Sequence, residues 1–405
     1  MPARLLVRDL AQVATPVPGA VPARGRDLHT VEVIEDAYVL CAGATIESVG
    51  PMRELTVTAG DVEEVDGRGL CAIPGLVDCH THPAFGGDRV EEFSLRAGGA
   101  TYEELHAAGG GILSTVAATR RLDEAGLAAR VERHAGWMQA NGTTTWEGKS
   151  GYGLDRDTEL ASLRAVRAAG GSPTWLGAHA VPPEHPDADG YLDWAIADVL
   201  PAAAGLADAA DVFLERGAFD ATQARRYLEA CRAAGLALRL HGDQFTESGA
   251  IPLAIELGAR SVDHLETTGP EGVAALARSD VVGVLLPASA LFLDRPQPPA
   301  RSLVDAGAAI ALATDFNPGS SFTTSLPLVC SLACTQLHLA PAEALSAVTV
   351  NAAHVLGRSD CGRLAPGLSA DFVLLDAPDW RYLAYHLGGD VVAGVIRGGR
   401  FAVRR

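Results

Sequence analysis

Two histidines separated by a single residue, His80 and His82, stand in the run Asp78-Cys79-His80-Thr81-His82. In an extended strand residues i and i+2 project to the same face, so both imidazoles would point to one side. Taken alone, a His-x-His pair is as well explained by two incidental histidines. It does not stand alone, because His179, His241, His264 and Asp315 each fall at the end of a strand-like run further along the chain. His80, His82, His241 and Asp315 make a set of three imidazoles and one carboxylate. That set suits a borderline divalent ion such as zinc or iron and leaves a position for water, whose pKa the ion would lower towards neutrality. His264 reads as a proton shuttle beside that water, with Asp263 either orienting it or pairing locally. His179, in Gly177-Ala178-His179-Ala180-Val181-Pro182-Pro183, is read as a substrate contact rather than a satisfied core histidine.

Three loops carry further candidates. Lys149-Ser150-Gly151-Tyr152-Gly153-Leu154 holds an aromatic with a polar tip, Tyr152, between two glycines. Arg89, after Gly86-Gly87-Asp88, could fork a carboxylate through two parallel N–H bonds, against the plain alternative of a surface arginine in a turn. Thr314-Asp315-Phe316-Asn317-Pro318-Gly319-Ser320 offers small polar groups and exposed amides to a ligand. Gly109-Gly110-Gly111 resembles a phosphate cradle, but it lacks the Gly-Lys-Ser/Thr ending and follows no strand, so a nucleotide site is rejected there.

These residues need a scaffold that brings strand ends together. From about Ala72 strand-like runs alternate with helix-like segments, and the strands expected are Ala72–His82, Thr143–Lys149, Thr174–Val181, Val212–Arg216, Ala237–Gln244, Ser261–Glu266, Val281–Pro287 and Ala309–Asp315. Eight βα units predict an α/β fold with a (β/α)8 TIM-like barrel, whose chemistry sits at the C-terminal strand ends. Helices are expected between the strands over Asp123–Ala140, Thr158–Ala169, Tyr191–Ala204, Ala221–Ala234, Gly249–Leu257, Glu271–Arg278 and Arg301–Ala306, and at the end over Thr324–Leu337 and Pro341–Leu356. Short β segments precede and follow the barrel: Val31–Ile34, Ala37–Leu40, Thr45–Val49 and Val57–Val65 before it, Asp371–Leu375 and Val391–Arg397 after it. The expected organisation is a small β-sandwich domain built from both termini, residues 1–70 plus 363–405, and a barrel over 71–362.

The 405 residues carry 50 acidic side chains against 32 Lys+Arg, a formal net charge of -18. Nucleic-acid backbones and anionic membranes need clustered Lys/Arg, so neither is expected as a partner, and a small molecule is. The 48% hydrophobic content excludes a mainly disordered chain. Seven scattered cysteines read as reduced, buried thiols, Cys330 and Cys334 included. Charge interrupts the first apolar stretch too early for a secretory segment, and a cytoplasmic protein is expected.

With these residues assembled, the chain resembles the amidohydrolase superfamily along nearly its whole length. The resemblance rests on the order and spacing of Asp78–His82, Gly86–Arg89, Gly109–Thr115, Lys149–Leu154, Leu176–Glu184, His241-Gly242-Asp243-Gln244 and Thr314–Ser320. It implies a homodimer with one zinc or iron ion (Zn2+ or Fe2+/Fe3+) on His80, His82, His241 and Asp315. It also implies hydrolysis of the cyclic amide C–N bond of 4-imidazolone-5-propanoate to N-formimidoyl-L-glutamate, a step of histidine degradation. By the same resemblance Arg89 binds the propionate carboxylate, and Tyr152, His179, Gln244, Asn317, Gly319 and Ser320 contact substrate or product. His264 and Asp315 then manage the proton, His179 stabilises the developing oxyanion, and Gln244 joins the catalytic group. Ala288–Leu291 with Arg295, and Gly148, depart from the usual pattern of these relatives. An alternative stays open: another mononuclear amidohydrolase acting on a related cyclic amide or amidine. Deamination is disfavoured because the amide of Gln244 cannot donate a proton as an acid does. A binuclear centre would need Lys149 as its bridge, and a catalytically silent scaffold would not be expected to retain every ligand.

Overall fold

The computed structural model describes residues 4–17, 19–57, 62–99 and 111–405. Gly109 and Gly110, and part of the strand expected over Val57–Val65, lie outside them. Sixteen described strands fall into two sheets. The N-terminal part supplies β1 (Arg4–Pro16), β2 (Val31–Ala42), β3 (Thr45–Pro51), β4 (Val62–Asp66) and β5 (Cys71–Pro74). The barrel strands are β6 (Leu76–Asp78), β7 (Thr143–Lys149), β8 (Ser172–Ala178), β9 (Ala209–Leu214), β10 (Ala237–Gly242), β11 (Ser261–His264), β12 (Val282–Leu285) and β13 (Ile310–Leu312), all paired in parallel. The chain ends with β14 (Phe372–Leu375), β15 (Val392–Arg397) and β16 (Arg400–Arg404), which join β1 to β5 in one mixed sheet. The α/β barrel and the sheet contributed by both termini are thus present.

The expected strand Ala72–His82 divides between the two sheets. Cys71–Pro74 pairs with β1 and β14, whereas Leu76–Asp78 pairs with β7. The break is Gly75, where a Cβ would lie 2.1 Å from Thr144 Oγ1, so the chain passes close to its neighbour only without a side chain. In β1, a bulge between Val7 and Leu10 shifts the inward parity from Leu5 and Val7 to Leu10, which hides the alternation that would mark one long strand. The two short segments expected over Val31–Leu40 are one strand, β2.

The ladder runs from β13 to β6 without joining its ends. Closure comes just past the strand ends. Asp78 accepts from Thr314 Oγ1 at 2.6 Å and Thr314 N at 3.1 Å, Asp315 N donates to His80 O at 3.1 Å, and His82 N donates to Phe316 O at 2.8 Å. The first and last strands are therefore sewn together at the residues that carry the candidate chemistry.

Several outer helices begin where a carboxylate caps them: Asp123 accepts from Gly126 N at 2.7 Å, Asp155 from Thr158 N at 2.8 Å, and Asp220 with Gln223 forms a reciprocal capping box. The helix expected over Pro341–Leu356 is two, Pro341–Ala347 and Val350–Val355. The interruption frees the carbonyl of Val348 to accept from Val77 N at 2.8 Å, so the break supports β6. Helices Val90–Ala97 and Pro287–Phe292 were not expected. The cysteines are unpaired, and no described helix is long and apolar enough to cross a membrane.

Candidate active site

His80 and His82 leave β6, His241 ends β10, His264 ends β11 and Asp315 follows β13, and all five are buried at one end of the barrel. Their side chains converge. His82 Nε2 lies 3.2 Å from His80 Nε2 and 3.4 Å from His241 Nε2, while Asp315 Oδ1 is 3.5 Å from His80 Nε2 and 3.4 Å from His82 Nε2. His264 sits alongside, its ring centroid 5.4 Å from that of His241 and 5.7 Å from that of His80. Two of these residues have left-handed backbones, His264 at φ 89° and Asp315 at φ 52°. A non-glycine residue with positive φ is strained, by an amount on the order of 1–3 kcal/mol, and such strain is retained where surrounding structure over-determines it.

The donor set fits a divalent cation. His80 Nδ1 is 2.6 Å from Asp263 Oδ2 and His241 Nδ1 is 3.1 Å from Asp211 Oδ1, so each neutral ring donates from Nδ1 and presents an Nε2 lone pair to the centre. Lone pairs this close repel unless a cation lies among them. Beneath the imidazoles the carboxylates of Glu147, Asp211 and Asp263 surround the Lys149 ammonium, and Glu147 also pairs with the Arg239 guanidinium. Without metal, burial pulls His80 down, but Asp263 and Asp315 outweigh it and raise it to about 9, so metal uptake displaces a proton there. Burial takes His241 the other way, to about 3, despite Asp211.

The substrate side is assembled from three loops. The His179 ring stacks on His82 at 5.5 Å between centroids and meets Tyr152 at 5.2 Å. His179 Nδ1 donates to Gly151 O at 2.9 Å, which leaves Nε2 an acceptor. Burial, with His82 and His241 nearby, holds that ring well below its ordinary pKa, so it stays neutral. An oxyanion stabiliser would need a proton on Nε2, and the geometry supplies a lone pair instead. Arg89 Nε donates to Thr115 Oγ1 at 2.9 Å, and the guanidinium passes so close to Gly319 that a Cβ there would lie 2.6 Å from Nη1. The amides of Gly319 and Ser320, expected to be exposed, both donate to Asn317 Oδ1 at 2.8 Å. Asn317 Nδ2 donates to Asp315 O and to Ser320 Oγ, each at 2.7 Å, and Ser320 Oγ donates to Asp315 Oδ2 at 3.1 Å. This loop satisfies itself and fixes Asp315. Gln244 is buried just past β10.

Comparison with known proteins agrees with this geometry. The amidohydrolase family model matches residues 71–401. The chain is 60% identical to the imidazolonepropionase of Rubrobacter xylanophilus, over 98% of this chain and 97% of that one. It belongs to the imidazolonepropionase family of amidohydrolases. The imidazolonepropionase of Chloroflexus aggregans is 45% identical over 99% of both chains. Two solved structures share the fold at 18% identity: a triazine hydrolase variant with TM-score 0.73, covering 99% of this chain and 95% of that one, and a zinc-bound adenosine deaminase from Xanthomonas campestris with TM-score 0.72, covering 100% and 93%.

This member of the imidazolonepropionase family holds more polar residues in its barrel than the sequence analysis singled out. Asp263 serves His80 and not His264, whose Nδ1 lies 3.3 Å from Glu266 Oε1. Asp211, Glu147 and Arg239 went unnoticed, and Lys149 was weighed only as a metal bridge. Here the Lys149 ammonium is enclosed by Asp211 at 2.7 Å, Glu147 at 2.9 Å and Asp263 at 3.8 Å. Burial lowers its pKa, but these carboxylates outweigh it and hold it above the ordinary range. Glu159, also missed, accepts from Gly151 N at 3.0 Å, Gly153 N at 2.9 Å and Leu154 N at 3.0 Å, and so holds the loop of Tyr152. A signal existed: Glu147 and Lys149, Arg239 and His241, and Asp263 with its strand mate Ser261 are i, i+2 pairs of polar residues in buried barrel strands. The departure at Gly148 has a cause, since a Cβ there would lie 2.7 Å from the Val166 methyls. Nothing in the structure explains the departure at Ala288–Leu291.

Proposed function

We propose that the chain hydrolyses the ring C–N bond of 4-imidazolone-5-propanoate to give N-formimidoyl-L-glutamate. The observation that carries this reading is the convergence of His80, His82 and His241 Nε2 with Asp315 Oδ1, in a chain 60% identical to an imidazolonepropionase over nearly its full length. Those four residues would hold one zinc or iron ion, which when bound supplies Lewis acidity to polarise a carbonyl and acidify water. Arg89 binds the propionate carboxylate as a fork, with Thr115 fixing Nε and Gly319 giving the guanidinium room. His179 Nε2 accepts a ring N–H, and Tyr152 closes over the ring. Gln244 orients the substrate by its amide, and Asn317, Gly319 and Ser320 form the floor beside Asp315.

In the reaction, the water oxygen bonds to the ring carbonyl carbon, the amide C–N bond breaks, the oxygen side becomes a carboxylate and the departing nitrogen gains a proton. Asp315, held by Ser320, and His264, held by Glu266, are the groups placed to receive and return that proton. We assign this chemistry to residues 71–362, with residues 1–70 and 363–405 bracing the barrel from outside. A cytoplasmic homodimer completes the proposal, and the unpaired cysteines support a reducing compartment.

The test generates the imidazolone from urocanate in situ and follows its ultraviolet absorbance with metal-loaded protein, detecting formimidoylglutamate by mass. Rapid loss that chelation or His241→Ala abolishes is expected. Loss no faster than the spontaneous rate, with metal bound, rejects this substrate in favour of another cyclic amide or amidine.

A further inference from the structure

One buried cation touches both carboxylates that orient metal-facing imidazoles. Lys149 Nζ lies 2.7 Å from Asp211 Oδ2 and 3.8 Å from Asp263 Oδ2. The other oxygen of Asp211 accepts from His241 Nδ1 at 3.1 Å and from His241 backbone N at 3.2 Å, while Asp263 Oδ2 accepts from His80 Nδ1 at 2.6 Å. Asp211 and Asp263 stand on β9 and β11, either side of β10, and without a cation between them their charges would drive them apart in a dry interior. His82 differs: its Nδ1 is buried with no hydrogen-bond partner among the described residues. Two of the three imidazoles are thus tied through one ammonium, and the third is not.

We propose that Lys149 is a positioning residue for the metal centre, pairing at once with Asp211 and Asp263 so that His241 and His80 are held in the Nδ1–H form with Nε2 aimed at the cation. The proposal rests on the metal reading of the site. It assigns Lys149 neither ligation nor proton transfer, because carboxylates already surround its nitrogen and would repel a carbamate built on it. Loss of an outer partner of a metal-bound histidine typically lowers metal affinity about 10- to 100-fold, and Lys149 acts on two such partners together.

The test strips metal from the full-length wild type and from Lys149→Met, Lys149→Gln and Glu147→Gln, then measures zinc affinity by competition with a chromophoric chelator, with circular dichroism and melting of each metal-free protein as the check on fold. Glu147→Gln is the control for general loosening, because Glu147 touches Lys149, Arg239 and Thr174 but no imidazole. Lys149→Met and Lys149→Gln are expected to bind zinc about 10- to 100-fold more weakly, and Glu147→Gln to bind like wild type even if it melts earlier. A folded Lys149 variant with wild-type affinity overturns the proposal, as does a loss in Glu147→Gln equal to that in Lys149→Met. If neither Lys149 variant folds, Asp211→Asn and Asp263→Asn decide: weakened binding in both upholds the proposal, and wild-type binding in either overturns it. A wild type that takes up neither zinc nor iron is a different failure, that of the metal reading itself.

Discussion

In the terminal sheet the buried strand positions include Leu5, Val7, Leu10, Val39, Phe372 and Leu374, whereas equally buried positions of the barrel strands include Glu147, Lys149, Asp211, Arg239, His241 and Asp263. Bulky aliphatics ordinarily fill a barrel of this kind. Burial alone does not tell the two regions apart; what each side chain demands of its neighbours does. An aliphatic core asks for volume and tolerates rearrangement, while a buried charge asks for a partner at bonding distance and has no cheap substitute. The charged interior is retained where the imidazoles need orienting acceptors, and the aliphatic sheet lies away from the chemistry.

The comparison can be broken at four points. If the barrel's polar groups serve catalysis, His264→Asn lowers kcat by about 10²- to 10⁴-fold, the usual worth of a proton-transfer group, with bound metal unchanged in elemental analysis. A drop of less than about tenfold would remove His264 from the proton path. If the interior depends on pairing, Arg239→Met, which leaves Glu147 without its guanidinium, costs about 3–5 kcal/mol in urea unfolding of metal-loaded protein. A cost near that of a surface pair would show that the barrel interior is wet. In the terminal sheet Leu10→Ala costs about 2–5 kcal/mol, yet kcat of the folded protein stays at the wild-type value. A changed kcat would mean that the sheet reaches into the site.

The fourth point is pH. His134 is buried against Phe85, its Nδ1 donating to Pro83 O at 2.8 Å, and burial lowers its pKa from 6.5 to about 4. Above pH 6.5 neither the folded nor the unfolded state carries this proton; between 6.5 and 4 only the unfolded state binds it. Stability from this group is therefore present above pH 6.5 and falls as pH drops, by about 3 kcal/mol once pH 4 is reached. The difference in unfolding free energy between pH 7 and pH 5 should shrink in His134→Phe, and an unchanged difference would place the acid sensitivity elsewhere.

Much of this was legible along the chain. Repeated apolar runs and caps such as Asp123, Asp155 and Asp220 mark the barrel, since periodicity and capping are local properties. The strand-end histidines were legible because side-chain parity in a strand is local too. Illegible were the partners. That Asp263 would serve His80 rather than its neighbour His264 depends on where β6 and β11 meet across the barrel, 183 residues apart in sequence. The need for a glycine at the split of Ala72–His82 was hidden because Thr144, which leaves no room there for a side chain, comes from another strand.

The sequence by itself determined the α/β barrel, the side chains at its strand ends and the class of cation they could hold, because residue type and spacing suffice for those. Tertiary structure alone decided which carboxylate orients which imidazole, that His179 presents a lone pair, and that Lys149 is enclosed by acids rather than open to a metal. Each of these depends on the distance between atoms brought together by barrel closure, and in a dry interior that distance sets both tautomer and charge.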